Sequence, residues 1–166
     1  VGKTTLVNAL KELEQFKDYK FATERSQHLM SLGIPLNTDS TLKGQTVFLA
    51  ERCGELMHDN IITDRTILDV MAFTLNAKSI PYQDKEAFET YASEFIREYD
   101  HIFYISPHGL EIEDNGIRET DEHYRDLIDF TITTLIKRHG HKAGKINKLS
   151  GSTEERILQM LHFLQS

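Results

Sequence analysis

The sequence predicts an α/β domain of three layers, a parallel sheet covered by helices on both faces, and three observations carry that expectation. Short β-prone runs alternate with helical patterns along the whole chain, which is the order that builds a parallel sheet. The clearest of the runs, His101-Ile102-Phe103-Tyr104-Ile105, is continuous rather than alternating in hydropathy, as expected of a strand covered on both faces. Gly2-Lys3-Thr4-Thr5 stands directly ahead of a helical pattern, so the chain opens on a helix N-terminus.

The 166 residues fit a single domain, large enough to bury about 70% of the surface of its unfolded chain. The hydrophobic share of 39% and charged share of 27% are ordinary for a globular protein. No apolar run approaches the roughly 18 residues of a membrane span, and no signal peptide is visible. A cytoplasmic protein without a membrane partner is expected. The lone Cys53 excludes an intrachain disulfide and suits a reducing compartment; with Leu49, Ala50, Leu56 and Met57 around it, it reads as a packing residue. A net charge of −7 argues against wholesale nucleic-acid binding.

Val1-Gly2-Lys3-Thr4-Thr5-Leu6 reads as the second half of a P-loop, G-x-x-x-x-G-K-[ST], with Gly2, Lys3 and Thr4 as its last three defined positions. A G-K-[ST] tripeptide arises by chance in roughly one chain in ten of this length. Its place is the stronger evidence, because Leu6, Val7, Leu10 and Leu13 follow at helical spacing. The backbone N–H groups of Gly2 to Thr5 and the helix dipole would hold nucleotide phosphates. Lys3 would reach the β- and γ-phosphates, and the Thr4 hydroxyl would ligate Mg²⁺. The first glycine of the loop and the strand that feeds it would lie before Val1, so residues 1–166 read as one P-loop kinase-like domain truncated at its N-terminus. The plain alternative is a Gly-Lys-Thr cap on a surface helix.

Further on, Tyr19 to Thr23 is a short β-prone run ending in Glu24-Arg25, at the carboxyl end of a strand, where open parallel sheets place their ligand crevice. Asp39 or Ser40 can cap the next helix, whose Leu42, Thr46, Leu49, Ala50, Cys53, Leu56 and Met57 share an apolar face, with Gln45 and Arg52 elsewhere. Asn60 to Thr66 repeats the pattern of strand, acid, arginine and helix in Asp64-Arg65. In a P-loop enzyme such a carboxylate can bind Mg²⁺ or accept the proton of an attacking hydroxyl, and Arg65 can clamp a phosphate. An internal Asp-Arg salt bridge is the competing reading. The following helix packs through Leu68, Met71, Ala72 and Leu75, and the next through Phe88, Tyr91, Ala92, Phe95, Ile96 and Tyr99.

Ser106 to Arg125 is an irregular acidic segment passing into a helix, and it suits a lid that delivers Arg118 and Arg125 to the nucleotide. A solvated loop with surface arginines is the alternative. The helix from Asp121 packs through Tyr124, Leu127, Ile128, Ile132, Leu135 and Ile136 and stops at Gly140. Lys137, Arg138, Lys142, Lys145 and Lys148 could touch a polyanion, although helix-dipole complementation explains most of them. Lys145 to Leu149 is the last strand. Gly151 opens the terminal helix, where a loop commonly borders a nucleoside base, and Ile157, Met160, Leu161 and Leu164 face inward.

On Gly2-Lys3-Thr4-Thr5, Glu24-Arg25, the helix containing Gln45, Asp64-Arg65-Thr66 and Asn115-Gly116-Ile117-Arg118, the chain resembles a group of P-loop kinases. They are those related to the ribosylnicotinamide kinase domain of the bacterial NAD-biosynthesis regulator, an AAA-labelled family common in phages and bacteria. The resemblance spans essentially all 166 residues. It implies a three-layer P-loop NTPase fold of five strands with the first one missing, ATP and Mg²⁺ at Lys3 and Thr4, a lid arginine at Arg118, and Glu24 and Asp64 flanking the acceptor. That family often carries Asp-Thr where this chain has Arg65-Thr66. Asp64-Arg65 is similar to the acid-arginine pair of thymidylate and deoxynucleoside kinases, which leaves the acceptor open.

The expected reaction is phosphoryl transfer from Mg·ATP to a nucleoside, a nucleoside monophosphate or a similar small acceptor. Glu24 or Asp64 would orient and deprotonate it, and Arg65 and Arg118 would neutralise charge on the transferring group. Two rivals differ in class: a kinase acting on a modified base or nucleic-acid end, and a P-loop ATPase or switch with no small acceptor. Without its first strand and half its phosphate loop, the stretch 1–166 is expected to be inactive.

Overall fold

A computed structural model describes residues 3–22, 33–35, 37–107 and 122–165. Helix α1 (Lys3–Lys11) buries Leu6, Val7 and Leu10 on one stripe, as their spacing requires. A 3₁₀ turn, Glu14–Phe16, leads into strand β1 (Lys20–Ala22). Helix α2 (Leu42–Glu55) starts at Thr41, whose hydroxyl accepts the Gly44 N–H at 3.0 Å; the cap is therefore neither Asp39 nor Ser40. Strand β2 (Ile61–Thr63) then pairs with β1 in parallel, Lys20 opposite Ile61. Helices α3 (Ile67–Leu75) and α4 (Tyr82–Ser93) follow, the latter tightening into a 3₁₀ stretch, Glu94–Glu98. Strand β3 (His101–Ile105), helix α5 (Glu122–His139), strand β4 (Lys145–Leu149) and helix α6 (Thr153–Gln165) complete the order.

Strand β3 pairs with β4 in parallel, His101 opposite Lys145. Gly144 makes this pairing close: its N–H donates to the Tyr99 carbonyl, and a Cβ there would collide with the Asp100 carbonyl oxygen. The expected single sheet is corrected in one respect. The four described strands form two separate parallel pairs, β1–β2 and β3–β4, and no backbone hydrogen bond joins the pairs among the described residues.

Two apolar clusters hold the elements. One joins α2, α3, α4 and α5 around Ile67, Met71, Ile96 and Leu135, which are fully buried. The other joins α1, α6 and β4 through Leu6, Leu10, Leu149 and Met160. Each such side chain contributes about 1.5–3 kcal/mol by leaving water.

Four helical faces differ from expectation. In α2 the buried stripe is Gly44, Gln45, Leu49 and Arg52, while Leu42, Thr46 and Ala50 are exposed and Met57, just past the helix, is 83% exposed. The reason is that Arg52 reaches Glu55 and the Asp64 carbonyl from the buried side, so hydropathy alone pointed to the wrong face. Tyr91, Leu127 and Leu164 lie at solvent rather than in the core. Cys53 is half-buried beside the first cluster; burial, and then the charge of Glu98, push its thiol pKa up, which suits packing rather than nucleophilic attack.

Candidate nucleotide-binding site

The site begins where β2 ends. The Asp64 N–H donates to the Ala22 carbonyl at 2.8 Å, continuing the strand pairing by one residue and fixing the aspartate at the carboxyl end of the pair. There the first turn of α1 meets it: the Thr4 hydroxyl donates to Asp64 Oδ2 at 3.0 Å. Asp64 is only 3% exposed, and its other oxygen, Oδ1, is buried with no hydrogen-bond partner among the described residues. An ionised carboxylate in that position is costly unless a cation or donor reaches its free oxygen.

The turn after Asp64 is held from several sides. Arg52 Nη1 donates to the Asp64 carbonyl at 3.3 Å while pairing with Glu55 at 2.9 Å, so this buried guanidinium ties α2 to the strand end. Arg65 has φ +83°, a conformation that non-glycine residues seldom adopt. It persists because the Thr63 hydroxyl donates to the Arg65 carbonyl at 2.8 Å and the guanidinium lies 5.3 Å from the centre of the Phe73 ring. Thr66 then caps α3 in a reciprocal box with Asp69. The Tyr99 hydroxyl accepts the Ile67 N–H at 3.1 Å, and burial raises the tyrosine's pKa, keeping the hydroxyl neutral.

A cavity of about 950 Å³ opens from this turn, and Lys3, Thr4, Asp64, Arg65 and Arg125 line it. Arg125, in the first turns of α5, has a buried Nε with no hydrogen-bond partner among the described residues. One turn on, Asp129 accepts the Tyr104 hydroxyl, and burial together with that bond raises the tyrosine's pKa. Thus the structure brings together Lys3, Thr4, Asp64, Arg65 and Arg125. Thr5 is exposed and does not line the cavity. Nor does Gly151, which has φ +91° in the loop after β4, where the Ser152–Glu155 cap and the Gln159 side chain hold it. Gly2, Glu24 and Arg118 lie outside the described residues.

Sequence reasoning missed Tyr104, Asp129 and Phe73, which carried no motif; each stood in an ordinary strand or helix pattern. The suspected basic patch is partly neutralised. Arg138 pairs with Glu89 at 2.6 Å, and Lys142 reaches Glu94 at 3.3 Å. No group of three or more His, Cys, Asp or Glu able to hold a metal occurs among the described residues. A magnesium ion that arrives with nucleotide phosphates needs only one or two protein ligands, and the hydroxyl of Thr4 with the free oxygen of Asp64 fits that role.

A Gly-Lys-Thr sequence whose Lys3 and Thr4 open α1, with the threonine bonded to an aspartate at the carboxyl end of a parallel strand, defines a nucleotide-binding P-loop domain of the α/β class. A family model described as an AAA domain matches residues 1–156, and the chain belongs to that family. No curated protein and no solved structure matches the chain. No described helix is long and apolar enough to cross a membrane.

Proposed function

We propose that this domain binds Mg·ATP and transfers its γ-phosphoryl group to a nucleoside, a nucleoside monophosphate or a similar small acceptor. The observation that carries the proposal is the contact of Thr4 Oγ1 with the buried Asp64, whose second oxygen is left for another partner. In this reading Thr4 and Asp64 hold the magnesium ion, which when bound neutralises charge on the β- and γ-phosphate oxygens. Lys3 stands in the same first turn and contacts the phosphates. Asp64 is committed to that pair, so Glu24 becomes the better candidate to orient and deprotonate the acceptor. Arg65 faces the same cavity on a fixed turn and contributes positive charge toward the transferring group, with Arg125, and Arg118 from the acidic segment, closing over the nucleotide.

The acid-arginine turn favours a kinase over an ATPase without acceptor, because a bare hydrolase needs no second anion clamp. The paired Arg138 and Lys142 weaken the case for a nucleic-acid substrate. The test is ATP consumption by the full-length protein against nucleosides, nucleoside monophosphates and nicotinamide riboside, with DNA and no-acceptor controls. Acceleration by one small acceptor is expected. Equal turnover with and without any acceptor would refute the reading. Lys3→Ala should lower kcat/KM at least a hundredfold, the order expected for removing a preorganised donor of about 3 kcal/mol.

A further inference from the structure

Arg52 and Arg97 each take an acid three residues away, Glu55 at 2.9 Å and Glu94 at 2.5 Å. Arg125 does not follow them. Asp129 stands four residues on along α5, a spacing that brings Cβ atoms to about 5–6 Å and suits an ion pair. Yet no ion pair joins the two among the described residues, and the buried Arg125 Nε has no hydrogen-bond partner there. Both side chains line the cavity that Lys3, Thr4, Asp64 and Arg65 also line.

Asp129 is held from the other side. Tyr104, the fourth of the five residues of β3, donates its hydroxyl to Asp129 Oδ1. The Ser106 hydroxyl donates to the same phenol oxygen, so the single phenol proton is directed at Asp129. Burial, and then the bond to Asp129, raise the tyrosine's pKa and keep that proton in place. The carboxylate is thus positioned by a strand and not by the arginine one turn away on its own helix.

We propose that Tyr104 keeps Asp129 off Arg125 and so leaves this arginine for a phosphate group of the nucleotide, a role that rests on the Mg·ATP reading of the domain. Tyr104 is then a positioning residue that acts through Asp129. The chemistry favours a phosphate over a neutral acceptor as the partner. A buried guanidinium N–H without an acceptor is costly, and a phosphate supplies both the acceptor oxygens and the countercharge. A plain tie between β3 and α5 has a different consequence. If Tyr104 only joined the two elements, neutralising Asp129 could not repair the loss of its hydroxyl. If Tyr104 acts by holding Asp129, its loss releases the carboxylate to Arg125, and neutralising that carboxylate frees the arginine again.

The experiment is a double-mutant cycle on the full-length protein, with a non-hydrolysable ATP analogue and Mg²⁺ as the probe. Tyr104→Phe should raise Kd about tenfold, the order of one hydrogen bond to a charged group. Adding Asp129→Asn to Tyr104→Phe should return Kd to within about threefold of the parent, whereas Arg125→Met should raise it about tenfold with or without Tyr104→Phe. An unchanged Kd in Tyr104→Phe would overturn the proposal, as would a double variant that binds no better than Tyr104→Phe alone. A crystal structure of nucleotide-free Tyr104→Phe should place the Asp129 carboxylate within about 4 Å of the Arg125 guanidinium, and a carboxylate that stays away overturns the proposal equally. Should that variant not fold, the parent bound to the analogue decides: Arg125 on a phosphate oxygen with Asp129 still on Tyr104 is expected, and Arg125 away from the phosphates is the contrary result. A parent that binds no analogue would count against the Mg·ATP reading, while the nucleotide-free structure still judges what Tyr104 does to Asp129.

Discussion

Replacing Asp64 by asparagine separates the aspartate's part in the fold from its part in nucleotide binding. Asparagine keeps the volume, and its carbonyl can still accept the Thr4 proton, while the change removes the charge on the buried, unpartnered Oδ1. The nucleotide-free variant should therefore stay within about 1 kcal/mol of the parent, since losing part of a charge-assisted hydrogen bond is offset by no longer burying a bare anionic oxygen. Binding should respond differently. A non-hydrolysable ATP analogue with Mg²⁺ at a hundredfold excess over Kd stabilises by about 2.7 kcal/mol. For a chain of this size that raises Tm by roughly 5–10 °C. Loss of a charged ligand to the metal weakens affinity about tenfold or more, leaving about 1.4 kcal/mol, half the shift, at the same ligand concentration. The assay is thermal unfolding of full-length parent and Asp64→Asn, with the analogue, in magnesium and in EDTA. The magnesium-dependent part of the shift should fall by half or more, and the part seen in EDTA should not. An unchanged magnesium-dependent shift would refute the assignment of Thr4 and Asp64 to the metal.

The turn that carries the site gives further tests. Thr66→Ala removes the cap of α3 and should cost about 1 kcal/mol, read as a lower denaturant midpoint at constant slope. Tyr99→Phe leaves the fully buried Ile67 N–H without its acceptor and should cost about 1–3 kcal/mol, lowering Tm by a few degrees or more. Far from the site, burial pushes the Glu89 carboxyl up, but hydrogen bonds from Arg138 and His139 outweigh it and hold its pKa below the ordinary 4.5. A depressed folded pKa gives stability that is present above 4.5 and lost as pH falls through the lower folded value. Melting of the parent between pH 7 and pH 3 should therefore show an acid-induced drop, and Glu89→Gln a smaller one; parallel curves would count against the linkage.

What was legible in the sequence followed from periodicity and from chemistry concentrated in a few neighbouring residues. His101 to Ile105 and Lys145 to Leu149 are strands with the expected bounds, because a β-rich run between helices leaves little choice. Lys3, Thr4, Asp64 and Arg65, which line one cavity, stood out in the sequence because a phosphate loop and an acid-arginine turn are local signals. The buried face of α2 was not legible: Arg52 belongs inside only because the Asp64 carbonyl and Glu55 wait there, which is tertiary information. The same holds for the bond between Tyr104 and Asp129, residues 25 apart that no local pattern connects. The division of the described strands into two pairs was equally hidden, since β-propensity states that a strand exists and not which edge it leaves open.

Arg65 shows why these levels meet at one turn. A left-handed arginine costs about 1–3 kcal/mol of backbone strain, and glycine at that position would relieve it. The chain keeps arginine and surrounds it with restraints: the Thr63 hydroxyl on its carbonyl, the Phe73 ring under its guanidinium, the Thr66–Asp69 cap one residue later, and Tyr99 on the next amide. Each restraint is modest by itself, and together they fix where a cation and a carboxylate point at the end of β2. Local preference is violated at the residue that faces the cavity beside Lys3 and Thr4, and the elements that enforce the violation are the ones the sequence already marks as strand end and helix cap. A turn under those constraints presents Asp64 and Arg65 already oriented, so in the proposed nucleotide complex a phosphate group would not have to order them.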